Sequence, residues 1–152
     1  MGMRDEVRHY AGEAIDISYD ARRCIHAAEC VRGLPAVFDT DRRPWILPSG
    51  ASADAIAAVI EQCPSGALHY TWRDGGAAES PPEQTTIKPV PGGPLYVRGL
   101  VQLRSADGSL IVEDTRVALC RCGQSENKPF CDNSHIGTGF DDPGAHGDPD
   151  AG

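Results

Sequence analysis

The sequence predicts an α+β protein of two small modules, the second richer in β-structure than the first. Three observations predict it. Six cysteines fall into two separated groups, three before residue 64 and three after residue 119. A run of small, acidic and Pro residues, DGGAAESPPEQ at 74–84, stands between them and reads as a linker by composition. The hydrophobic pattern also changes across that run, from short segments around one helix to two long strand-like stretches.

The elements follow from local pattern. AIDISY (14–19) alternates and predicts a strand with Ile15, Ile17 and Tyr19 on one face. CIHAAEC (24–30) predicts a loop running into one helical turn that Gly33 and Pro35 stop. AVFD (36–39) and PWIL (44–47) predict two short strands around a turn, TDRR. Ser52 is placed to cap a helix over 53–62, whose Ile56, Val59 and Ile60 form one apolar stripe. Pro64 ends it, and ALHYTW (67–72) is again strand-like. After the linker, LYVRGLVQLRS (95–105) and SLIVEDTRVALC (109–120) predict a hairpin turning at Ala106-Asp107-Gly108. DNSHIG, after Cys131, predicts a short helical turn.

Charge and composition exclude several function classes. The net charge of −8 offers no basic footprint for nucleic acid and suits steering towards a basic protein partner. Residues 141–152 carry four Asp and no Lys or Arg, and their Gly, Pro and Asp content predicts a disordered acidic tail. No apolar run is long enough for a membrane helix, and the first residues lack the apolar core of a secretory signal. The expected protein is soluble and cytoplasmic, where thiols stay reduced rather than forming disulfides. No phosphate-binding Gly-rich loop and no Ser-His-Asp arrangement is present, so a self-contained enzyme is not expected. The basic pairs Arg22-Arg23 and Arg42-Arg43 read as solvated turn residues. Trp45 and Trp72 are expected to pack over a small core or to shield a metal centre from water.

The segment CRCGQSENKPFCDNSH (120–135) carries the strongest signal. Cys120, Cys122, Cys131 and His135 form a complete set of four ligands within sixteen residues. Soft thiolates with a borderline imidazole select zinc or an iron–sulfur cluster over calcium or magnesium. The C-x-C pair is tight for a zinc knuckle and suits two thiolates on one iron. Arg121 and Lys128 lie in the same loop, where they are placed to tune a bound centre.

This segment resembles the CDGSH iron–sulfur family. Cys120, Cys122, Ser125, Pro129, Cys131, Asp132 and His135 fall on that family's motif, with Asn133 where the family has Gly. Asn tolerates the left-handed backbone region better than other non-Gly residues, so the turn is expected to survive. The resemblance implies a 2Fe–2S cluster with Cys120 and Cys122 on one iron and Cys131 and His135 on the other. Ser125, Pro129 and Asp132 would then support the loop. One imidazole in place of a thiolate should raise the potential, and its protonation should make the cluster labile in acid.

The first group is Cys24, Cys30 and Cys63, the last followed by Pro64. Laid on the bacterial ferredoxin run, Cys24, Cys30 and Cys63 take the first, third and distal positions and Ala27 the second. Residues 10–73 resemble the divergent mono-cluster 4Fe–4S domain that is often fused to CDGSH domains, a half-ferredoxin-like module. Three thiolates complete a 3Fe–4S cluster, whereas a 4Fe–4S cluster needs a fourth ligand, for which His26 is the candidate. The alternative is three buried structural cysteines.

The domains read from these signals are 10–73, the linker 74–84, a CDGSH-type domain at 85–140 and the tail 141–152. The expected function is one-electron transfer through two clusters, with a reductase or an acceptor protein as the redox partner. Two other readings stay open: a redox- or pH-responsive cluster donor serving an apo-acceptor protein, and a zinc-bound structural or interaction module. Oligomeric state is open, and neither nucleic acid nor membrane is expected as a partner.

Overall fold

The computed structural model describes residues 7–146, so the expectations for 147–152 of the tail lie outside the described residues. The strands form two antiparallel three-stranded sheets, one on each side of the 74–84 run. The helices are few and short, giving a strand-rich mixture of α and β.

The first sheet has the order β1-β2-β3, with β1 at Val7–Tyr10, β2 at Ile15–Asp20 and β3 at Leu68–Trp72. β2 alternates as its sequence requires: Ile15 and Ile17 are buried, and Tyr19 packs at the edge of the same cluster. β1 is not predicted from the sequence, because VRHY offers no apolar alternation and gains its order only by pairing with β2. Helix α1 (Glu29–Gly33) is the expected single turn. Helix α2 (Ala53–Ile60) begins at Ser52, whose hydroxyl accepts from the Ala55 N–H at 3.2 Å. Its Ile56 and Ile60 are fully buried and close over Val37, Phe38, Ile46 and Leu68. The two strands expected at 36–39 and 44–47 reduce to one bridge, Phe38 to Ile46, flanked by two backbone hydrogen bonds. The Arg42 guanidinium braces this loop from within, donating to the carbonyls of Val37, Pro44 and Trp45.

The second sheet has the order β4-β5-β6, with β4 at Thr86–Pro89, β5 at Leu95–Arg104 and β6 at Leu110–Leu119. β5 and β6 are the expected hairpin. β4, ending at a proline, is an edge strand the pattern does not announce. Val97, Val117 and Phe130 form the core of this sheet. Helix α3 (Ser134–Thr138) follows the last cysteine.

Buried charge joins the two halves, and here the sequence reading of Arg23 as a solvated turn residue is corrected. Arg23 is only 7 % exposed; its Nη1 lies 2.9 Å from Asp114 Oδ2 and its Nη2 donates to the Ser65 and Arg116 carbonyls. Arg116 is fully buried, with Nε and Nη2 on the two carboxylate oxygens of Glu79 at 3.0 and 2.8 Å. Its other donors reach the carbonyls of Cys63 (2.6 Å) and Leu68 (2.9 Å). Residues 74–84 contain no helix or strand, yet through Glu79 they are tied to the second sheet. Gly66, at φ +74°, is required where this network crosses the chain. A Cβ there would collide with Arg23, the Arg116 carbonyl and Asp114.

The start of the tail makes contacts with the second half. Asp142 accepts from the Gly92 N–H through its carbonyl and pairs with Arg121 through its carboxylate at 2.7 Å. Among the described residues no helix is long and apolar enough to cross a membrane.

Candidate metal centres

Strand β6 delivers the chain into the 120–135 loop, and the loop is closed at its base. The Cys120 N–H donates to the Pro129 carbonyl and the Cys131 N–H to the Ala118 carbonyl. Cys131 is thereby brought back beside Cys120 and Cys122. The donors stand in pairs: Cys120 and Cys122 Sγ are 3.9 Å apart, and Cys131 Sγ is 3.6 Å from His135 Nδ1. Backbone N–H groups point at all three sulfurs, Gly123 at Cys120, Gln124 at Cys122 and Asn133 at Cys131. Such donors stabilise thiolate charge. Burial works against ionisation of Cys120, but the N–H groups of Ser125 and Gly123 outweigh it, and its pKa falls below the usual thiol value. Cys131 goes the other way. Burial pushes it up, and the neighbouring negative charges of Cys120, Asp132 and Cys122 add to that, against the Asn133 N–H.

Ser125, Pro129 and Asp132 hydrogen-bond within the loop. Ser125 donates to the Phe130 carbonyl and accepts from the Asn127 N–H. Pro129 supplies the carbonyl that holds Cys120. Asp132 accepts from Glu126 on one side and from Ser134 on the other, which draws the two ends of the loop together. Arg121 does not tune this site by contact. It faces away, onto the carbonyls of Val90 and Gly93 and the carboxylate of Asp142.

Cys24, Cys30 and Cys63 line one small enclosed cavity together with Tyr19, Ala27 and Trp45. Trp45 stacks edge-on against Tyr19, with ring centroids 4.9 Å apart, and forms a wall of this site; Trp72 packs on Tyr70 and, like Trp45, against the core of the first half, the other place the sequence reading allows. Burial, and next the charge of Cys63, push the Cys30 thiol up to about 11. Burial followed by the adjacent Cys24 raises Tyr19 above the ordinary phenol range. His26 is exposed, 4.0 Å from Cys24 Sγ, and is not among the walls of this cavity.

Among the described residues, no three His, Cys or carboxylate side chains converge on one point where they would hold a single ion. Backbone strain marks the same loops. Among the described residues, the non-Gly positions with left-handed φ are His26 (56°), Ala28 (65°) and Asn133 (71°), all in the candidate ligand loops. Such conformations cost on the order of 1–3 kcal/mol and collect at functional sites.

The two loops touch. Ile25, Ala118 and Cys131 form one buried cluster, with Ala27 and Tyr96 against it. The Tyr96 phenol is raised by burial first and then by the negative charge of both Cys131 and Cys63, one cysteine from each group. Asn133 Nδ2 donates to the Ile25 carbonyl at 2.8 Å, and Asn127 and Arg22 exchange two further bonds. Asn at 133 thus has a use that Gly would lack. N133G keeps the turn but removes this bond, and thermal unfolding should show a loss of about 1 kcal/mol.

Comparison with known proteins agrees with this geometry. Residues 10–73 match the family described as divergent 4Fe-4S mono-cluster, and residues 92–136 match the iron-binding zinc finger of CDGSH type. The chain is 43 % identical over 63 residues to the uncharacterized protein YjdI of Escherichia coli K12, covering 83 % of that protein and 41 % of this chain. The YjdI protein of Escherichia coli O157:H7 matches to the same extent. The chain belongs to the divergent mono-cluster 4Fe–4S family. A CDGSH-type domain follows in the same chain. No solved structure matches.

Within this mono-cluster family member, sequence reasoning missed Arg23, Glu79, Tyr96, Asp114 and Arg116. One signal was present: Asp114 and Arg116 are opposite charges two apart in a strand, on the face that also carries buried Ala118.

Proposed function

We propose that this chain is a two-centre iron–sulfur protein that carries single electrons between a reductase and an acceptor. The observation that carries the reading is the contact between the two cysteine loops through Ile25, Cys131 and Asn133, which makes the candidate centres neighbours, as a relay requires. In this reading Cys120 and Cys122 hold one iron of a 2Fe–2S cluster and Cys131 and His135 the other. Cys24, Cys30 and Cys63 hold the second cluster. The family description favours 4Fe–4S there, while three thiolates by themselves complete 3Fe–4S. The domain boundaries 10–73 and 85–140 are part of the same proposal, as are the half-ferredoxin-like character of the first module and a cytoplasmic setting.

When bound, such clusters supply one-electron redox chemistry. The chain's own residues set its conditions. The N–H groups of Gly123, Gln124 and Asn133 spread the sulfur charge. Trp45 and Tyr19 form one wall of the three-cysteine site. Tyr96, Ile25 and Ala118 fill the space between the loops with protein rather than solvent.

The test is iron and sulfide content with EPR on anaerobically purified protein, as isolated and after reduction. Wild-type protein and the variants C131A and C63A should be compared. C131A should lose about two irons and the 2Fe–2S signal while the other signal remains. C63A should do the converse, and the iron it loses counts the nuclearity of that cluster. Colourless protein holding zinc and no sulfide would overturn the reading. Transfer of intact clusters to an apo-acceptor, with no electron exchange, would replace the carrier by a cluster donor.

A further inference from the structure

On the outer side of Cys24 and Cys30 lies a second cavity, open to solvent and about 730 Å³ in volume. That is within the range of about 300–1,000 Å³ typical of sites for small organic ligands. Its walls hold three aromatic rings, Tyr10, Tyr19 and Trp45. Arg8, Arg43, His9 and His26 also line it. None of the described residues around it is Asp or Glu, although acidic residues outnumber Lys and Arg in the chain by 22 to 14. Arg43 is steadied by its Nη1, which donates to the carbonyls of Thr40 and Arg42 without losing its charge. Two guanidinium groups with no acid among the described walls attract and retain anions.

We propose that this cavity binds a small flat aromatic anion, its ring against Tyr10, Tyr19 and Trp45 and its phosphate or carboxylate at Arg8 and Arg43. Aromatic walls favour a planar ring by offset or edge-on stacking. Guanidinium groups favour an oxyanion through charge-assisted, often bidentate, hydrogen bonds. The position also has a functional sense. Cys24 and Cys30 line this cavity and the enclosed three-cysteine cavity alike. A ligand held here lies against the N-terminal centre, where a redox-active ring is placed to exchange electrons with it. That role rests on the two-centre reading, whereas binding does not.

The test is isothermal titration calorimetry on the full chain, purified anaerobically, with flavin mononucleotide, riboflavin and inorganic phosphate as probes. Flavin mononucleotide should bind, and riboflavin, which has the same ring without the phosphate, should bind at least about tenfold more weakly. Inorganic phosphate, lacking the ring, should also bind more weakly. R8A and R43A should each weaken flavin mononucleotide about tenfold. Both positions are exposed, so the fold should persist. R73A, which alters an exposed arginine outside the cavity, should leave affinity unchanged. Absence of binding, equal affinity for riboflavin, or equal weakening by R73A would each overturn the proposal. Iron and sulfide measured on the same samples report separately on the clusters, so failure here is distinct from failure of the two-centre reading.

Discussion

Replacing Arg116 with alanine is expected to cost about 3–5 kcal/mol of folding stability. The side chain is fully buried and satisfies four acceptors at once, both oxygens of Glu79 and the carbonyls of Cys63 and Leu68. Without it, a carboxylate whose side chain is only 12 % exposed is left without its counter-charge, and two carbonyls lose their donors. The desolvation already suffered by those groups is then uncompensated. Urea unfolding should report the loss. R116M with E79L removes both charges while keeping bulk, and should recover much of it, since replacing a whole buried pair by apolar groups is often near neutral. A loss below about 1 kcal/mol for R116A would show that water replaces the guanidinium. The effect should also reach the three-cysteine site. Arg116 holds the Cys63 carbonyl, so iron retained at that site should fall in R116A before iron in the 120–135 loop does.

Asp114→Asn is expected to cost about 3 kcal/mol at pH 7, because it leaves the buried Arg23 without its carboxylate. The cost should depend on pH in a defined direction. Burial alone would raise the Asp114 pKa, but His69, 2.8 Å away, and Arg23 outweigh it, and the net value lies below the ordinary 3.8. A carboxylate depressed in the folded state adds stability that is fully present above its unfolded pKa. That stability is lost as pH falls through the folded value. Wild type and D114N should therefore differ most near neutrality and converge below about pH 4. Denaturant midpoints between pH 7 and pH 3 measure this. A difference that stays constant over that range would show that packing around Asp114, and not its charge, is what the substitution removes. Asp114 and Arg116 lie two residues apart on the same buried face of β6, so the two substitutions should not add.

These residues also show where the sequence stopped being legible. The Cys120, Cys122, Cys131 and His135 set is local. Ligands within sixteen residues can be recognised by spacing, and the turn of the chain that joins them needs no distant partner. β2, α2 and the β5-β6 hairpin were readable for a similar reason, since alternation, a Ser cap and a Gly-bearing turn are written in neighbouring residues. β1 and β4 were not, because edge strands owe their order to the strand beside them. Arg23 was misread because a basic pair next to a turn is ordinarily solvated. What buries it is Asp114, ninety-one residues later in the chain.

The sequence by itself determined the two cysteine groups, the change from a mixed to a β-rich half, and the chemistry each group could hold. Ligand spacing and hydrophobic period are short-range properties of a chain, so they survive without knowledge of the fold. Only the tertiary structure decided that the two cysteine loops touch through Ile25, Cys131 and Asn133. It also decided that Tyr96 stands between them and that a cavity whose described walls hold no Asp or Glu opens beside one of them. Those facts depend on two sheets being locked together by the buried charges of Arg23, Asp114, Arg116 and Glu79. A charge gives no sign in the sequence of which distant opposite charge will share its burial, because that pairing is settled by packing and desolvation over the whole fold.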